Sequence, residues 1–270
     1  PATTYKADGF NFSFSDDRGE TWSEFEKFHS PYDAIVAMSS LTQVKENGVF
    51  VDKWMGLFHD HEFNVYKTYL TFDENDHAQW SDPEPLLPAD VTQRDGTCEE
   101  EIIRDPESDT LILLSRAEKR VSNSLIAFSE DEGESWYGLK ELPYELCGDR
   151  HKAEYDPVSD KVLISFRQMI PVKRSAVSIY TAISGGWYAW VGTFDDLLSY
   201  ADEDPLNDSK GEYLIELGKT DYFAKPYDVV RDNGYSGVVC VNGTFNVVGY
   251  GSFDKAGITR YIISRTFSLT

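Results

Sequence analysis

The sequence predicts an all-β protein folded as a six-bladed β-propeller, with five blades or a truncated first blade as the alternative. Three observations support this fold class: one turn motif occurs twice, tryptophans recur at a nearly constant spacing, and helix-forming segments are few. Internal repetition limits the possible architectures more strongly than any single segment does. We therefore take the repeat as the basis for placing the other elements.

The repeated motif is Ser-x-Asp-x-Gly-x-Ser/Thr-Trp, found at residues 15–22 and again at residues 129–136. An apolar run typical of a strand precedes each copy. The Asp side chain can accept hydrogen bonds from the turn backbone, and Gly tolerates positive φ, so each copy predicts a β-hairpin. We expect Asp17 and Asp131 to shape these turns and the following tryptophans to pack between neighbouring sheets.

Weaker copies extend the pattern to residues 71–80, to Gly185-Gly186-Trp187 and to a fifth stretch at residues 252–259. The tryptophans recur about every 50 to 60 residues, a period that fits one four-stranded propeller blade. Only residues 194–201 favour a helix, which argues against a helical solenoid. A β-sandwich with two similar hairpins is the remaining alternative.

We expect one domain over residues 1–270, in which the C-terminal strands complete the blade begun near the N-terminus, because an unclosed ring would leave open strand edges. Strands are predicted at residues 49–59, 110–115, 161–166, 176–183, 213–217, 237–241, 245–250 and 261–267. The corresponding blades cover residues 1–30, 31–90, 97–145, 148–200 and 211–270.

The composition excludes several classes of partner. The chain has 270 residues and a net charge of −22 at pH 7. A charge of this sign repels nucleic acid and anionic membranes. No apolar run approaches the ~18 residues of a membrane span. No signal peptide is visible and the chain begins at Pro1, so the compartment stays open between a secreted or periplasmic and a cytoplasmic location. The sequence does not indicate an oligomeric state.

Neither the cysteines nor the histidines predict a metal site. Cys98, Cys147 and Cys240 are odd in number and far apart, which is typical of free thiols. In the cluster at residues 59–62, His59 and His61 are expected on one face of a strand. A structural metal site requires about four ligands, so we interpret His59 as a residue that contacts substrate or forms ordinary hydrogen bonds. No cofactor is predicted.

The repeated turns resemble the Asp boxes of the sialidase (neuraminidase) superfamily, whose members are typically six-bladed propellers. The resemblance spans most of the chain. Three further segments are similar to sialidase strands: Glu99-Glu100-Glu101-Ile102-Ile103 with Ser115-Arg116, Asn233-Gly234-Tyr235-Ser236-Gly237, and Cys147-Gly148-Asp149-Arg150-His151 with Phe166-Arg167.

This resemblance implies a Tyr nucleophile, Tyr235, and a Glu base, for which the distance to Arg116 along the chain favours Glu100 over Glu99 and Glu101. A sialic acid carries a carboxylate at its anomeric carbon, and a neutral phenol approaches it without charge repulsion. The phenol is a poor nucleophile unless a neighbouring base takes its proton.

The resemblance also implies an arginine clamp for the substrate carboxylate, because Arg binds carboxylates through two parallel hydrogen bonds. We expect Arg116 and Arg167 in this role, together with Arg150. His151 is the alternative acid or base, since imidazole titrates near neutral pH. The expected partner is a glycan or a small sugar.

Two departures from the family pattern keep other functions open. No Arg precedes Ser15, where sialidases carry an Arg-Ile-Pro motif, and Gly251 follows Tyr250 where they tend to have Glu. The alternatives are a divergent glycosidase or polysaccharide lyase that uses His or Tyr, and a non-catalytic carbohydrate-binding propeller.

Overall fold

A computed structural model describes residues 9–32, 34–171, 182–218, 235–251 and 261–269. The chain divides into two compact units, Pro1–Gln93 and Arg94–Thr270. The described residues are almost entirely in antiparallel strands, which confirms the predicted all-β class. Within these ranges no helix has the length and apolar character that a membrane span requires.

The first unit contains a two-stranded hairpin and one larger sheet. The hairpin pairs β1 (Phe10–Phe12) with β2 (Glu26–Phe28) around the first repeated turn. Its aromatic side chains pack with those of the larger sheet: the ring centroids of Phe28 and Trp80 are 5.3 Å apart. The larger sheet has the order β3-β4-β5-β6, with β7 also paired to β5. Its strands are β3 (Ser40–Glu46), β4 (Val49–His59), β5 (Val65–Phe72), β6 (Ala78–Trp80) and β7 (Glu84–Pro85).

A short helix, α1 (Ala89–Asp95), precedes the first sheet of the second unit. This sheet is a four-stranded antiparallel meander whose strands follow one another in chain order. β8, β9 and β10 are buried along nearly their whole length, because both faces of the sheet are covered. Its strands are β8 (Thr97–Arg104), β9 (Leu111–Ala117), β10 (Leu125–Ser129) and β11 (Tyr137–Glu141).

The second sheet of this unit has the same meander order, β12 (Gly148–Asp156), β13 (Lys161–Pro171), β14 (Ala182–Gly192) and β15 (Tyr213–Gly218). The helix α2 (Phe194–Ser199) joins its last two strands and begins with a capping box between Thr193 and Asp196. The helix predicted at residues 194–201 is therefore present. Part of the strand predicted at residues 176–183 lies outside the described residues.

β15 corrects the predicted blade boundaries. The sequence assigned residues 213–217 to the last blade, whereas the structure pairs them with β14 as the outer strand of the second sheet. The edge of β14 supplies backbone partners for this strand. The indole of Trp190 also donates a hydrogen bond of 3.0 Å to the carbonyl oxygen of Lys210, which holds the approach to β15 against the sheet.

The third sheet of the second unit has three strands in the described residues, β16 (Gly237–Val241), β17 (Thr244–Gly251) and β18 (Tyr261–Ser268). The first strands of the three sheets, β8, β12 and β16, lie side by side. One apolar core contains Phe128, Phe166 and Trp190. A second contains Trp187 and Phe245. Sheets that stack face to face, with their first strands adjacent, are typical of propeller blades.

Four sheets of at least three strands are thus present in the described residues, and the predicted count of six blades is not confirmed. The predicted closure between the first and last strands stays a prediction. The fifth copy of the turn motif, at residues 252–259, lies outside the described residues.

The two repeated turns have the same internal hydrogen bonds. The Asp carboxylate accepts a bond of 2.8 Å from the backbone N–H four residues later, in Asp17 with Thr21 and in Asp131 with Ser135. The Gly has positive φ, 89° in Gly19 and 81° in Gly133, as the turn requires. Both aspartates therefore shape the turns.

The packing expected of the first repeat tryptophan is wrong. Trp22 is 64% exposed and donates its indole N–H only to the carbonyl oxygen of Gly19. Trp136, its counterpart in the second turn, is half-buried. The repeat motif therefore determines the turn backbone and does not by itself bury the aromatic ring.

Candidate active site

Tyr235 and Glu99 form the centre of the candidate site. Tyr235 precedes β16, and its hydroxyl donates a hydrogen bond of 2.6 Å to Oε1 of Glu99 on β8. Tyr235 is 43% exposed, whereas Glu99 is buried. A phenol that reaches solvent, with a carboxylate at hydrogen-bond distance behind it, has the geometry of a nucleophile and its base.

A β-bulge in β8 decides which glutamate faces Tyr235. Cys98 pairs with Arg116 and Glu101 with Leu114, so that Glu99 and Glu100 together lie opposite one residue of β9. Glu99 occupies this bulge with a φ of 56°, in the left-handed region that few residues other than Gly adopt. Bulges redirect side chains and occur frequently beside active sites.

The three consecutive glutamates consequently have different surroundings. Glu99 faces Tyr235, whereas Glu100 accepts a hydrogen bond of 3.3 Å from Ser115 in the interior. Glu101 accepts hydrogen bonds from the side chain of Lys152 and the backbone of Ala153. The carboxylate beside Tyr235 is thus Glu99 rather than the favoured Glu100.

A second bulge, in β12, directs Arg150 toward the same tyrosine. Arg150 and His151 lie opposite Phe166 of β13, and Arg150 has a φ of 60°. Its guanidinium carbon lies 4.7 Å from the centroid of the Tyr235 ring, and its Nε lies 3.5 Å from Oε1 of Glu99. This is a cation–π contact on one face of the phenol.

Arg116, on β9, touches three carboxylates. Its Nη1 donates a hydrogen bond of 2.7 Å to Oε2 of Glu99, and its Nη2 binds Glu118. Its Nε lies 3.2 Å from Oδ1 of Asp149. Arg116 is buried, so these contacts are made away from bulk water.

Asp149 is fully buried and contacts three arginines. Arg120 binds it in a bidentate manner at 2.6 and 2.9 Å. Arg167, on β13, binds it through Nε at 3.1 Å and through Nη2. Burial alone would raise the pKa of Asp149, but Arg116, Arg120 and Arg167 outweigh it and hold the pKa well below its ordinary value.

Among the described residues, the hydrogen-bonded network around Glu99 is positively charged, although the chain as a whole is strongly acidic. This described part of the network contains four arginines and three carboxylates, so it carries one net positive charge when all are ionised. Such a site suits an anionic ligand. Its charged members are Arg116, Arg120, Arg150, Arg167, Glu99, Glu118 and Asp149.

The pKa values of the central pair are shifted in opposite directions. Burial disfavours the ionised form of Glu99, but the charges of Arg116 and Arg150 and the hydrogen bond from Tyr235 outweigh it and lower its pKa. The pKa of Tyr235 is raised by its own burial first, and then by the charge of Glu99 and the hydrogen bond to it. The resting pair is therefore a neutral phenol and an ionised carboxylate.

His151 follows Arg150 in the β12 bulge but points into the interior. Its Nε2 donates a hydrogen bond of 2.9 Å to the carbonyl oxygen of Leu146, and its ring stacks on Phe166. Burial lowers its pKa, which leaves the imidazole neutral. Its burial separates the imidazole ring from solvent.

His59 lies in the first unit, at the end of β4, where it is buried with its ring parallel to that of Phe63. The predicted alternation over residues 59–62 ends here, because Asp60 turns the chain by accepting hydrogen bonds from Glu62 and Asn64. Among the described residues, no cluster of three or more potential ligands is placed to hold a metal ion.

The structure therefore brings together Tyr235, Arg116, Arg150 and Arg167, and it places His151 behind them. It adds three residues that sequence reasoning did not select: Glu118, Arg120 and Asp149. Asp149 belongs to the segment at residues 147–151 that was singled out for its resemblance. No local pattern shows that it would meet arginines from β9, from the segment between β9 and β10, and from β13.

The solved structures that are similar to this chain include the following two. A protein of unknown function from Dyadobacter fermentans aligns with a TM-score of 0.61 at 15% identity, over 97% of this chain and 65% of the other. The intramolecular trans-sialidase of Ruminococcus gnavus, in complex with oseltamivir carboxylate, aligns with a TM-score of 0.59 at 12% identity, over 96% of this chain and 50% of the other.

This chain thus spans less than two thirds of the length of either protein. No protein-family model and no curated protein matches its sequence. At such low identities the likeness concerns the fold alone. The chain has an all-β, propeller-like fold of the sialidase type.

Proposed function

We propose that the protein is a glycoside hydrolase of the exo-α-sialidase type, which removes a terminal acidic sugar from a glycan with retention of configuration. The observation that carries the proposal is the hydrogen bond of 2.6 Å from the half-exposed Tyr235 to the buried, ionised Glu99. This pair supplies a neutral nucleophile and a base to activate it.

In the first step the Tyr235 oxygen attacks the anomeric carbon of the sugar, and its proton passes to Oε1 of Glu99. The glycosidic bond breaks, and the leaving alcohol takes a proton from solvent. In the second step water attacks the same carbon and releases a proton to solvent. The phenolate of Tyr235 leaves and recovers its own proton from Glu99. Two displacements at one carbon retain its configuration.

Recognition of an acidic sugar rests on the arginines. The guanidinium of Arg150 lies 4.7 Å from the centroid of the Tyr235 ring, and its Nε lies 3.5 Å from Oε1 of Glu99, the oxygen that accepts the tyrosine hydroxyl. Arg116 and Arg167 lie behind it and maintain positive charge in the site. A sugar carboxylate beside the anomeric carbon would meet this charge as the nucleophile approaches.

The direct test is release of the fluorophore from a fluorogenic sialoside between about pH 4 and pH 8. We expect turnover by the wild type and a loss of more than about a thousandfold in kcat for Tyr235→Phe. Tyr137→Phe is the matched control, because Tyr137 is also 43% exposed and also donates a hydrogen bond, of 2.8 Å, to a glutamate. That glutamate is Glu130, in the turn between β10 and β11.

Three outcomes separate the alternatives. Absence of turnover at every pH would contradict the proposal. Sialoside binding without release, lost in Tyr235→Phe, would identify a sugar-binding propeller instead. An ultraviolet-absorbing unsaturated product from a uronate polysaccharide would identify a lyase.

A further inference from the structure

Asp149 is the one carboxylate of the network that touches neither Tyr235 nor solvent. It lies on β12 with no exposed surface, and all of its side-chain partners are arginines. Burying a charge is costly unless it is paired and hydrogen-bonded. A fully buried carboxylate with three guanidinium partners meets that condition. A buried ion pair is nevertheless weak evidence for a role in stability, so we consider what Asp149 does to the arginines beside it.

The contacts of Asp149 restrict how Arg116 can be oriented. A guanidinium is planar, with its donors in a fixed fork. Nη1 and Nη2 of Arg116 donate hydrogen bonds to Glu99 and Glu118. Its Nε lies 3.2 Å from Oδ1 of Asp149 without a hydrogen bond between them, so this contact is one of opposite charges. The charge of Asp149 attracts the guanidinium toward the position from which Nη1 reaches Glu99.

Arg116 in turn determines which oxygen of Glu99 faces Tyr235. Oε2 accepts the hydrogen bond of 2.7 Å from Arg116, and Oε1 accepts the hydrogen bond of 2.6 Å from Tyr235. The terminal torsion of a glutamate has a broad, roughly two-fold profile, so its own rotamer preference does not fix the carboxylate plane. The hydrogen bond from Arg116 to Oε2 fixes this plane.

We propose that Asp149 is a positioning residue for the Tyr235–Glu99 pair: its charge, 3.2 Å from the Nε of Arg116, keeps that guanidinium against Oε2 of Glu99, which leaves Oε1 to accept the tyrosine hydroxyl. Its consequence for catalysis rests on the proposed glycosidase function, whereas the positioning itself does not.

Asp149 also limits the positive charge of the site. Without it the network would carry two net positive charges instead of one. A more positive site holds an anionic sugar more tightly and makes Glu99 a weaker proton acceptor. Among the described residues, the charged and titratable groups near Glu99 include Arg116, Arg150, Tyr235, Glu118 through Arg116, the buried imidazole of His151 and the buried thiol of Cys98.

Asp149→Asn is the test, because it keeps the shape of the side chain and removes its charge. Asp156→Asn is its matched control: Asp156 is also fully buried and also on β12, but its carboxylate accepts hydrogen bonds from Val158 and Ser159 in a turn and from the thiol of Cys240, and from no arginine among the described residues. Both variants and the wild type would be crystallised, and their kinetics measured with the fluorogenic sialoside.

In Asp149→Asn we expect the Tyr235 Oη to Glu99 Oε1 distance to exceed 3.5 Å, kcat to fall at least about tenfold and KM to fall or stay unchanged. Asp156→Asn should keep the short distance and both constants. A partly unfolded enzyme would lose kcat at unchanged KM without the structural change, so the paired readouts separate positioning from simple destabilisation.

The proposal is overturned if the Tyr235–Glu99 contact and kcat are both preserved in folded Asp149→Asn. If that variant does not fold, the double variant Asp149→Asn with Arg120→Gln is used, because it removes one negative and one positive charge together. Preservation of the Tyr235–Glu99 contact in the double variant also overturns the proposal. If neither folds, the wild-type crystal structure decides: an Asp149–Arg116 separation within about 4 Å supports the proposal, and a larger separation with the Tyr235–Glu99 contact intact overturns it. A wild type without sialoside turnover refutes the proposed function, while the crystallographic distances still test the positioning.

Discussion

Tyr235 donates its hydroxyl hydrogen to Glu99 across a separation of 136 residues in the chain. The contact arises because β12 lies beside both β8, which carries Glu99, and β16, which Tyr235 precedes. The buried hydroxyls of Ser165 and Ser236 are hydrogen-bonded at 2.6 Å, which holds the residue after Tyr235 against β13. The sheet order therefore places the phenol over the bulge of β8.

Substitution of the glutamates should distinguish the base from its neighbours. Glu99→Gln removes the proton acceptor of Tyr235, so kcat/KM on the sialoside should fall by about a hundredfold or more. Glu100→Gln alters a carboxylate that faces Ser115 in the interior, and its effect on kcat/KM should be much smaller once the folded fraction is measured by circular dichroism. The reverse order of effects would assign the base to Glu100.

The charge of Arg150 should be needed for an anionic substrate. Arg150→Gln removes a guanidinium that lies 4.7 Å from the Tyr235 ring, so KM for the sialoside should rise by about tenfold. The pKa of Tyr235 should also rise further, because Arg150 opposes its elevation. Arg104→Gln is the control, since Arg104 forms its ion pair with Glu132. An equal rise in KM in both variants would refute the role of Arg150.

The pH profile should report the ionisation of Glu99. Glu99 accepts a proton only when ionised, and its folded-state pKa lies below the ordinary value of 4.5 because Arg116 and Arg150 outweigh its burial. Activity, and the stability that this depressed pKa contributes, should both persist as the pH falls to 4.5 and be lost only below it. We would measure kcat/KM together with the folded fraction; an acid limb above 4.5 in folded protein would contradict this assignment.

The repeated turns should contribute to stability and not to chemistry. Asp131→Ala removes the acceptor of the Ser135 backbone and side-chain hydrogen bonds, so the free energy of unfolding in urea should fall by about 1 kcal/mol. Ser135→Ala keeps the backbone bond and should cost less. The sialoside kcat of both folded variants should equal that of the wild type. A loss of kcat without a loss of stability would place Asp131 in the site.

Much of the fold followed from local chemistry. Asp17 and Asp131 accept the turn hydrogen bonds that their motif predicts, and Thr193 begins the predicted helix. These features depend on residues a few positions apart, which a sequence displays directly. The pairing of β15 with β14 depends on a long connection, and the sequence placed it wrongly.

The candidate site was predictable to within one residue and no further. A strand has a side-chain period of two, so the sequence cannot show where a bulge inserts an extra residue. The bulges at Glu99 and Arg150 therefore concealed which glutamate faces Tyr235. Asp149 was missed for a different reason. Its partners come from β9, from the segment between β9 and β10, and from β13, and only the folded sheets bring them together.

The most direct measurement is to look for the covalent intermediate on Tyr235. The protein would be incubated with a sialosyl fluoride that carries fluorine beside the anomeric carbon, which slows the second displacement, and then digested and analysed by mass spectrometry. We predict one added sugar on the peptide that contains Tyr235, and none in Tyr235→Phe. A sialoside that is turned over while the sugar is attached to another residue, or to none, would contradict the central role of Tyr235 and Glu99.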